Sequence, residues 1–270
     1  MNSFIHRLMA GVAFLLIVSL VSGCATMTPI RQHPDFASAA RKVQTVAILP
    51  PDVEYLRVVF NGDNERQTDK ELTITQELQE GLETALKKKQ YTLRPWLSNK
   101  QKAENKNVSF DLQQVRTAYI EAAKQLFEKP ANEEESKKYR VSLGPVVNPV
   151  ASLVNAEALL YVRYNGFEKS GGQQTKDILA GALLGVLTGA MPVYAAEGSV
   201  LEVALIDGAT GDVLWANRGG IQGPGGLGFR APLMAENILT RLPGKEIAVA
   251  ASDGNPAKPA DSAAPAPAAK

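Results

Sequence analysis

One cysteine, Cys24, and two histidines, His6 and His33, are the strongest nucleophile and general-base side chains in this 270-residue chain. A Ser-His-Asp triad needs an imidazole between a hydroxyl and a carboxylate. Both imidazoles here lie near the amino terminus, and no Gly-x-Ser-x-Gly elbow occurs. Histidine or cysteine clusters with zinc-ligand spacing cannot be assembled from so few donors. Asp207 and Asp212 form a carboxylate pair, but they flank Gly208-Ala209-Thr210-Gly211, where aspartate is common for local backbone reasons. Gly223 to Gly228 (GPGGLG) spells G-x-G-x-x-G, a pattern that offers backbone amides and a helix amino terminus to a pyrophosphate. Here it follows a hairpin near the end of the chain, carries Pro224, and has no later strand acid to hold a ribose. The expectation is a non-enzymatic protein with no cofactor and no metal.

Cys24 stands in a particular setting. Arg7 precedes the uncharged apolar run Leu8 to Val21, and small residues Ser22 and Gly23 close it. A positive start, an apolar middle and a small-residue end predict a secretory signal segment over residues 1–23. A transmembrane anchor with an incidental cysteine is the competing reading, but the run falls short of the roughly 20 residues that a span needs.

Val21-Ser22-Gly23-Cys24 resembles the bacterial lipobox, a branched apolar residue and two small ones before a cysteine. The resemblance implies that Cys24 receives an S-diacylglyceryl group, becomes the first residue after cleavage, and is N-acylated, commonly with palmitate. Each buried methylene contributes about 0.8 kcal/mol and stable anchoring takes about two chains, so three would hold the protein at a membrane. Ala25 follows instead of the aspartate that favours inner-membrane retention. The resemblance therefore implies an outer-membrane lipid anchor with the protein facing the periplasm.

Lys and Arg number 29 against 28 Asp and Glu. Loss of residues 1–23 removes Arg7 and no acid, leaving a chain without net formal charge. No basic run exceeds Lys87-Lys88-Lys89, so a nucleic-acid partner, which demands phosphate neutralisation, is not expected. The length allows one domain of about 200 residues.

Along the chain, residues 24–42 read as a lipidated tether, broken into non-helical pieces by Pro29 and Pro34. Val43 to Leu49 predicts a core strand ended by Pro50-Pro51, and Asn61 to Asn64 a turn. Thr68 with Glu71 fits a capping box opening a helix through Leu78, Leu82, Ala85 and Leu86. Tyr91 to Arg94 predicts a second strand, and residues up to Asn107 a polar loop. Asp111 to Lys129 predicts an amphipathic helix and Pro149 to Asn155 a short one. Ala158 to Tyr164 predicts a buried strand. Val200 to Ile206 and Val213 to Asn217 predict a hairpin, and Pro232 opens a last helix with Met234, Ile238 and Leu242 one turn apart. The alanine- and proline-rich residues 246–270 cannot bury enough surface to fold. This order predicts one α/β sandwich domain over 43–245, with a mixed sheet ending in an antiparallel hairpin.

Asp207 to Trp215 (DGATGDVLW) resembles a hairpin recurrent in periplasmic lipoproteins of the TolB amino-terminal-domain-like fold, a group that includes CsgG-like secretion lipoproteins and LpoB-like activators. The resemblance implies a non-catalytic scaffold or assembly factor that works through self-association or unknown envelope proteins. CsgG-like pores insert long strands of alternating polarity, and no such stretch occurs here.

Ile178 to Ala196 contains no charged residue, and Gly181, Gly185 and Gly189 recur every fourth position. On a helical insertion these glycines share one side and allow close approach of another backbone. Three readings stand: a glycine-faced helix packed in the domain or against an identical subunit, a segment touching or entering the membrane, or an apolar loop that binds a partner or lipid. Gly181, Gly185 and Gly189 are the candidate contact residues, and a membrane-inserting oligomer lining a channel is the alternative function.

Overall fold

A computed structural model describes residues 26–27, 30–59, 64–128, 132, 134–169, 197–222 and 231–244. Nine strands are present among them: β1 (Thr26–Met27), β2 (Arg31–Gln32), β3 (Thr45–Ile48), β4 (Asp52–Val58), β5 (Asn64–Arg66), β6 (Thr92–Arg94), β7 (Ala158–Lys169), β8 (Glu197–Asp207) and β9 (Val213–Gln222). The helices are α1 (Phe36–Lys42), α2 (Thr68–Lys88), α3 (Asn99–Glu104), α4 (Val108–Phe127), α5 (Asn148–Val154) and α6 (Ala231–Thr240).

β7 is the axis of the sheet. It carries an almost unbroken apolar run and is buried along most of its length, as expected for a strand covered on both faces. On one side β3 and then β4 run parallel to it, with Val46 opposite Ala158 and Asp52 opposite Arg163. Pro50 and Pro51 separate β3 from β4 because proline has no amide to continue a ladder. β6 lies outside β3 in parallel, and β5 outside β4 in antiparallel. On the other side β8 and β9 follow antiparallel, with β1 and β2 both paired to the outer edge of β9. The mixed sheet with a terminal antiparallel hairpin is thus as expected.

Helices cover both faces. Against the first lie α2, through Ile74, Leu78, Leu82 and Leu86, and α6, through Met234, Ala235, Ile238 and Leu239. Gly81 lets these two helices approach, since an added Cβ there would stand 3.0 Å from the Ala235 Cβ and 3.1 Å from the Pro232 backbone. Against the second face lie α4, through Val115, Tyr119, Ala122 and Leu126, and α5, through Val150 and Val154.

Three expectations change and one element is new. Residues 31–42 are not a non-helical tether: β2 completes hydrogen bonds that the edge of β9 would otherwise leave open, and Phe36 is buried in the first core cluster. Pro34 sits before α1, where it breaks nothing. The capping box at Thr68 is not made, because Thr68 is already helical and Gln67 occupies the cap position without a side-chain bond. Glu71 instead turns to β4, accepting from the Tyr55 amide at 3.0 Å and from Arg66 Nε at 2.7 Å. The polar loop before Asn107 contains α3, whose capping box pairs Ser98 with Gln101 in both directions. Finally, β4 and β5 form a ribbon that no expectation covered.

Candidate functional site: the β1 end and the charged row of the sheet

Cys24, Gly181, Gly185 and Gly189 lie outside the described residues, as do residues 1–23, Gly223 to Gly228 and 246–270. The described residues do show where those segments join the sheet. Thr26 pairs with Gly220 and Met27 with Gly219, so the chain entering β1 comes from the Gln222 end of β9. Gln222 is level with Gly198, Gly198 with Phe167, and Phe167 with Leu56. β7 ends and β8 begins at this same end, with Glu168 opposite Glu197. Val58 pairs with Asn64 there as well, on either side of residues 60–63.

Tyr55, Glu168 and Lys70 knit this end together. The Lys70 ammonium pairs with Glu168 and lies 5.1 Å from the Tyr55 ring centre. The Tyr55 hydroxyl donates to Glu168 at 3.4 Å. Burial first, and the Glu168 charge second, raise the Tyr55 pKa. Beneath it Gly166 is required, since a Cβ would stand 2.6 Å from the Tyr55 ring and 2.9 Å from that of Tyr164.

On the second face, three adjacent strands present a charged row. Arg163 of β7, Glu202 of β8 and Arg218 of β9 stand directly across from one another. Glu202 is fully buried, with Arg218 Nη2 2.5 Å from its Oε1 and Arg163 Nη1 3.9 Å from its Oε2. The Arg218 guanidinium lies 4.3 Å above the Phe127 ring, and Arg31 of β2 lies 4.9 Å above Tyr139. Arg31 Nε donates to the Leu126 carbonyl at 2.5 Å, which satisfies an end carbonyl of α4. Burial lowers the Arg31 pKa. Below the row, Tyr119 and Tyr161 stack with centres 4.1 Å apart. Tyr161 donates to Asp52 Oδ2 at 3.3 Å, and Arg116 Nε lies 2.9 Å from the same oxygen. A carboxylate engaged by two guanidiniums across three strands acts as a clamp on their register. The sequence carries a signal for it: Glu202 interrupts the otherwise apolar run VLEVALI, and a charge inside a buried strand calls for a partner on its neighbours.

The far end holds the Asp207 turn. Asp207 Oδ1 accepts from the Ala209 and Thr210 amides at 2.8 and 2.9 Å, and Thr210 Oγ1 accepts from the Asp212 amide at 3.2 Å. Gly211 has φ +79°, and a Cβ on it would stand 2.1 Å from the Gly144 carbonyl oxygen. The turn explains its own aspartates, and Trp215 is buried in the core. Beside it, Thr45, Arg94, Asn155, Glu157, Asp207 and Ala209 line an open groove of about 660 Å³. Its polar groups are engaged locally: Glu157 accepts from the Thr45 amide at 2.9 Å and Arg94 donates to the Asn155 carbonyl at 3.1 Å. Among the described residues no cluster of three or more His, Cys, Asp or Glu is placed to hold a metal ion, and no helix is long and apolar enough to cross a membrane.

No known family model matches the chain, and no curated protein matches it. Among solved structures it is similar to the PelC dodecamer from Paraburkholderia phytofirmans, at 13% identity and a TM-score of 0.35, over 80% of this chain and 96% of that one. A point variant of the same dodecamer is similar at 12% identity and a TM-score of 0.33, over 81% and 96% of the two chains.

Proposed function

We propose that the chain is a non-catalytic, lipid-anchored scaffold or assembly factor of the outer membrane, facing the periplasm and belonging to the TolB amino-terminal-domain-like group. It acts through self-association or through envelope protein partners. The observation that carries this reading is the pairing of Thr26 and Met27 with Gly220 and Gly219, immediately after the lipobox-like Val21 to Cys24. A lipid on Cys24 then holds a folded sheet at the membrane and not the tip of a long free tether. The Asp207 to Trp215 hairpin and the mixed sheet agree with the group, whose members mostly lack enzymatic activity.

Cys24→Ala is expected to abolish incorporation of labelled fatty acid and to move the protein from the membrane to the soluble fraction. Persistence of the variant in the membrane fraction would reject the anchor. Crosslinking in intact cells, with mass determination of the captured species, tests the scaffold role: recovery of the monomer alone would remove it.

A second reading, a membrane-inserting oligomer that lines a translocation channel, draws on the position of Lys169 and Glu197 at the anchor end. Gly185→Leu is expected to change oligomer size or detergent extraction under either role for the segment, whereas conductance in planar bilayers is expected only for the channel.

A further inference from the structure

We infer that the end of the sheet formed by the paired ends of β4 and β5 at Val58 and Asn64 and by the outer ends of β7, β8 and β9 rests on the phospholipid headgroups, with the strands standing away from the membrane. The inference rests on lipidation of Cys24 and specifies what that anchor does to the fold.

Only Ala25 separates Cys24 from Thr26, two steps of the backbone with a reach of about 7 Å. Through the ladder, Thr26 is level with Gly220, Val200, Asn165 and Glu54. At about 3.3 Å per residue, Asn165 stands about 13 Å from Lys169 at one end of β7 and about 23 Å from Ala158 at the other. The lipidated residue is therefore held close to the Lys169 end, and the Asp207 turn, paired at Ala158, is held far from the bilayer.

The charges of this end supply no polybasic attraction for anionic headgroups: Arg57, Arg66, Lys70 and Lys169 stand with Glu54, Glu65, Asp69, Glu168 and Glu197, of which Arg57, Glu65, Arg66, Asp69 and Lys70 are exposed. The placement therefore rests on the anchor. The chain also departs at Lys169 and returns at Glu197 here, and the run Ile178 to Ala196 between them adds no charge. The competing placement is edge-down, with β2, α1 and the Asp35–Arg140 ion pair against the lipid.

Cys24 is the only cysteine, and its thiol is blocked when lipidated, so a single introduced cysteine is the sole site for a thiol-reactive bimane. The experiment uses the lipidated full chain in vesicles of phosphatidylethanolamine and phosphatidylglycerol that carry a headgroup-nitroxide lipid. Arg57→Cys reports the anchor end, Ser38→Cys the edge and Ala209→Cys the far end; all three positions are exposed. Glu65→Cys is a second probe of the anchor end should Arg57→Cys fold poorly. The expected result is loss of most bimane fluorescence at position 57 or 65, a smaller loss at 38 and none at 209. Strongest quenching at 38 would overturn the inference in favour of edge-down placement, and strongest quenching at 209, or equal quenching everywhere, would overturn it outright. Flotation of Cys24→Ala with the same vesicles separates the two claims. Full flotation of that variant rejects the lipid anchor, whereas a wrong quenching order with an anchor-dependent protein rejects only the orientation.

Discussion

The two faces of the sheet are held by different physics. Beneath α2 and α6 the contacts are aliphatic and aromatic: Leu78, Leu82 and Leu86 meet Tyr164, Leu201 and Trp215. Beneath α4 the same strands turn up Tyr161, Arg163, Glu202 and Arg218 as well as alanine and valine. The first face stabilises by removing apolar area from water, at about 25 cal/mol per Å², and any well-fitting apolar set would serve. The second holds a charge whose removal from water is costly unless its partners stay in place. One face thus supplies bulk stability. The other fixes which residues of β7, β8 and β9 stand opposite one another, and so where β1 joins the sheet.

The largest expected effect is alkaline and tests the first face through its phenols. Burial raises Tyr91 and Tyr164 to about 12, against an unfolded value near 10. Because the folded state favours the neutral form, their contribution is complete below pH 10 and is lost as pH rises from 10 towards 12. The loss is about 1.4 kcal/mol per pH unit for each tyrosine, or up to about 3 kcal/mol each across the window. Denaturant melts from pH 8 to 12 should show flat stability and then a fall beginning at pH 10. Tyr91→Phe with Tyr164→Phe should make that fall shallower; an unchanged slope would mean that these phenols are solvated.

Next in size is the clamp. Glu202→Leu leaves two guanidiniums beside an apolar site and is expected to cost about 3–5 kcal/mol, the range for removing one partner of a buried pair. Replacing Arg163, Glu202 and Arg218 together by leucine should restore most of that loss, since apolar substitutes for a whole buried network are often neutral. Chemical denaturation of both variants checks the contrast. If the triple variant is less stable than Glu202→Leu, the row contributes net stability and the division between the faces fails.

Leu82→Ala, on the first face, is expected to cost about 3 kcal/mol by emptying a site between α2 and the sheet. Its effect should add to that of Glu202→Leu, since the two lie on opposite faces and share no contact. A coupling above about 0.5 kcal/mol in urea melts of the double variant would show that the faces communicate through the strands.

Legibility followed the same division. The first face was readable because Leu78, Leu82 and Leu86, or Met234 and Ile238, repeat at helical spacing, and Ala158 to Tyr164, Val200 to Ile206 and Val213 to Ala216 are mostly apolar. β4 was hidden by Pro50-Pro51, although Val53 and Tyr55 alternate with Asp52 and Glu54 as a half-buried strand should. α3 was hidden because NKQKAE has no apolar stripe, and only Ser98 with Gln101 marks its start. The charged row escaped because it exists only in the register: Arg163, Glu202 and Arg218 are far apart in the chain and become a set when three strands align. The Glu71 bridge to β4 failed to show for the same reason, its local spacing suggesting a cap while its tertiary partner was a strand amide.

The smallest effect discriminates most sharply between packing and polarity on the second face. Tyr119 is completely buried, stacked on Tyr161, and its hydroxyl has no hydrogen-bond partner among the described residues. Burial raises its pKa, with the Glu202 charge adding to the shift. A buried hydroxyl without a partner has lost its water and gained nothing in return, so deleting it removes a penalty and not a bond. Tyr119→Phe keeps the ring, the stacking and the volume, and is expected to leave stability within about 0.5 kcal/mol of wild type or slightly above it. Tyr119→Ala removes the ring as well and should cost about 3–5 kcal/mol. Should the phenylalanine variant instead lose more than about 1 kcal/mol in denaturant melts, the hydroxyl is bonded in solution, and the polar network of this face extends from the sheet into α4.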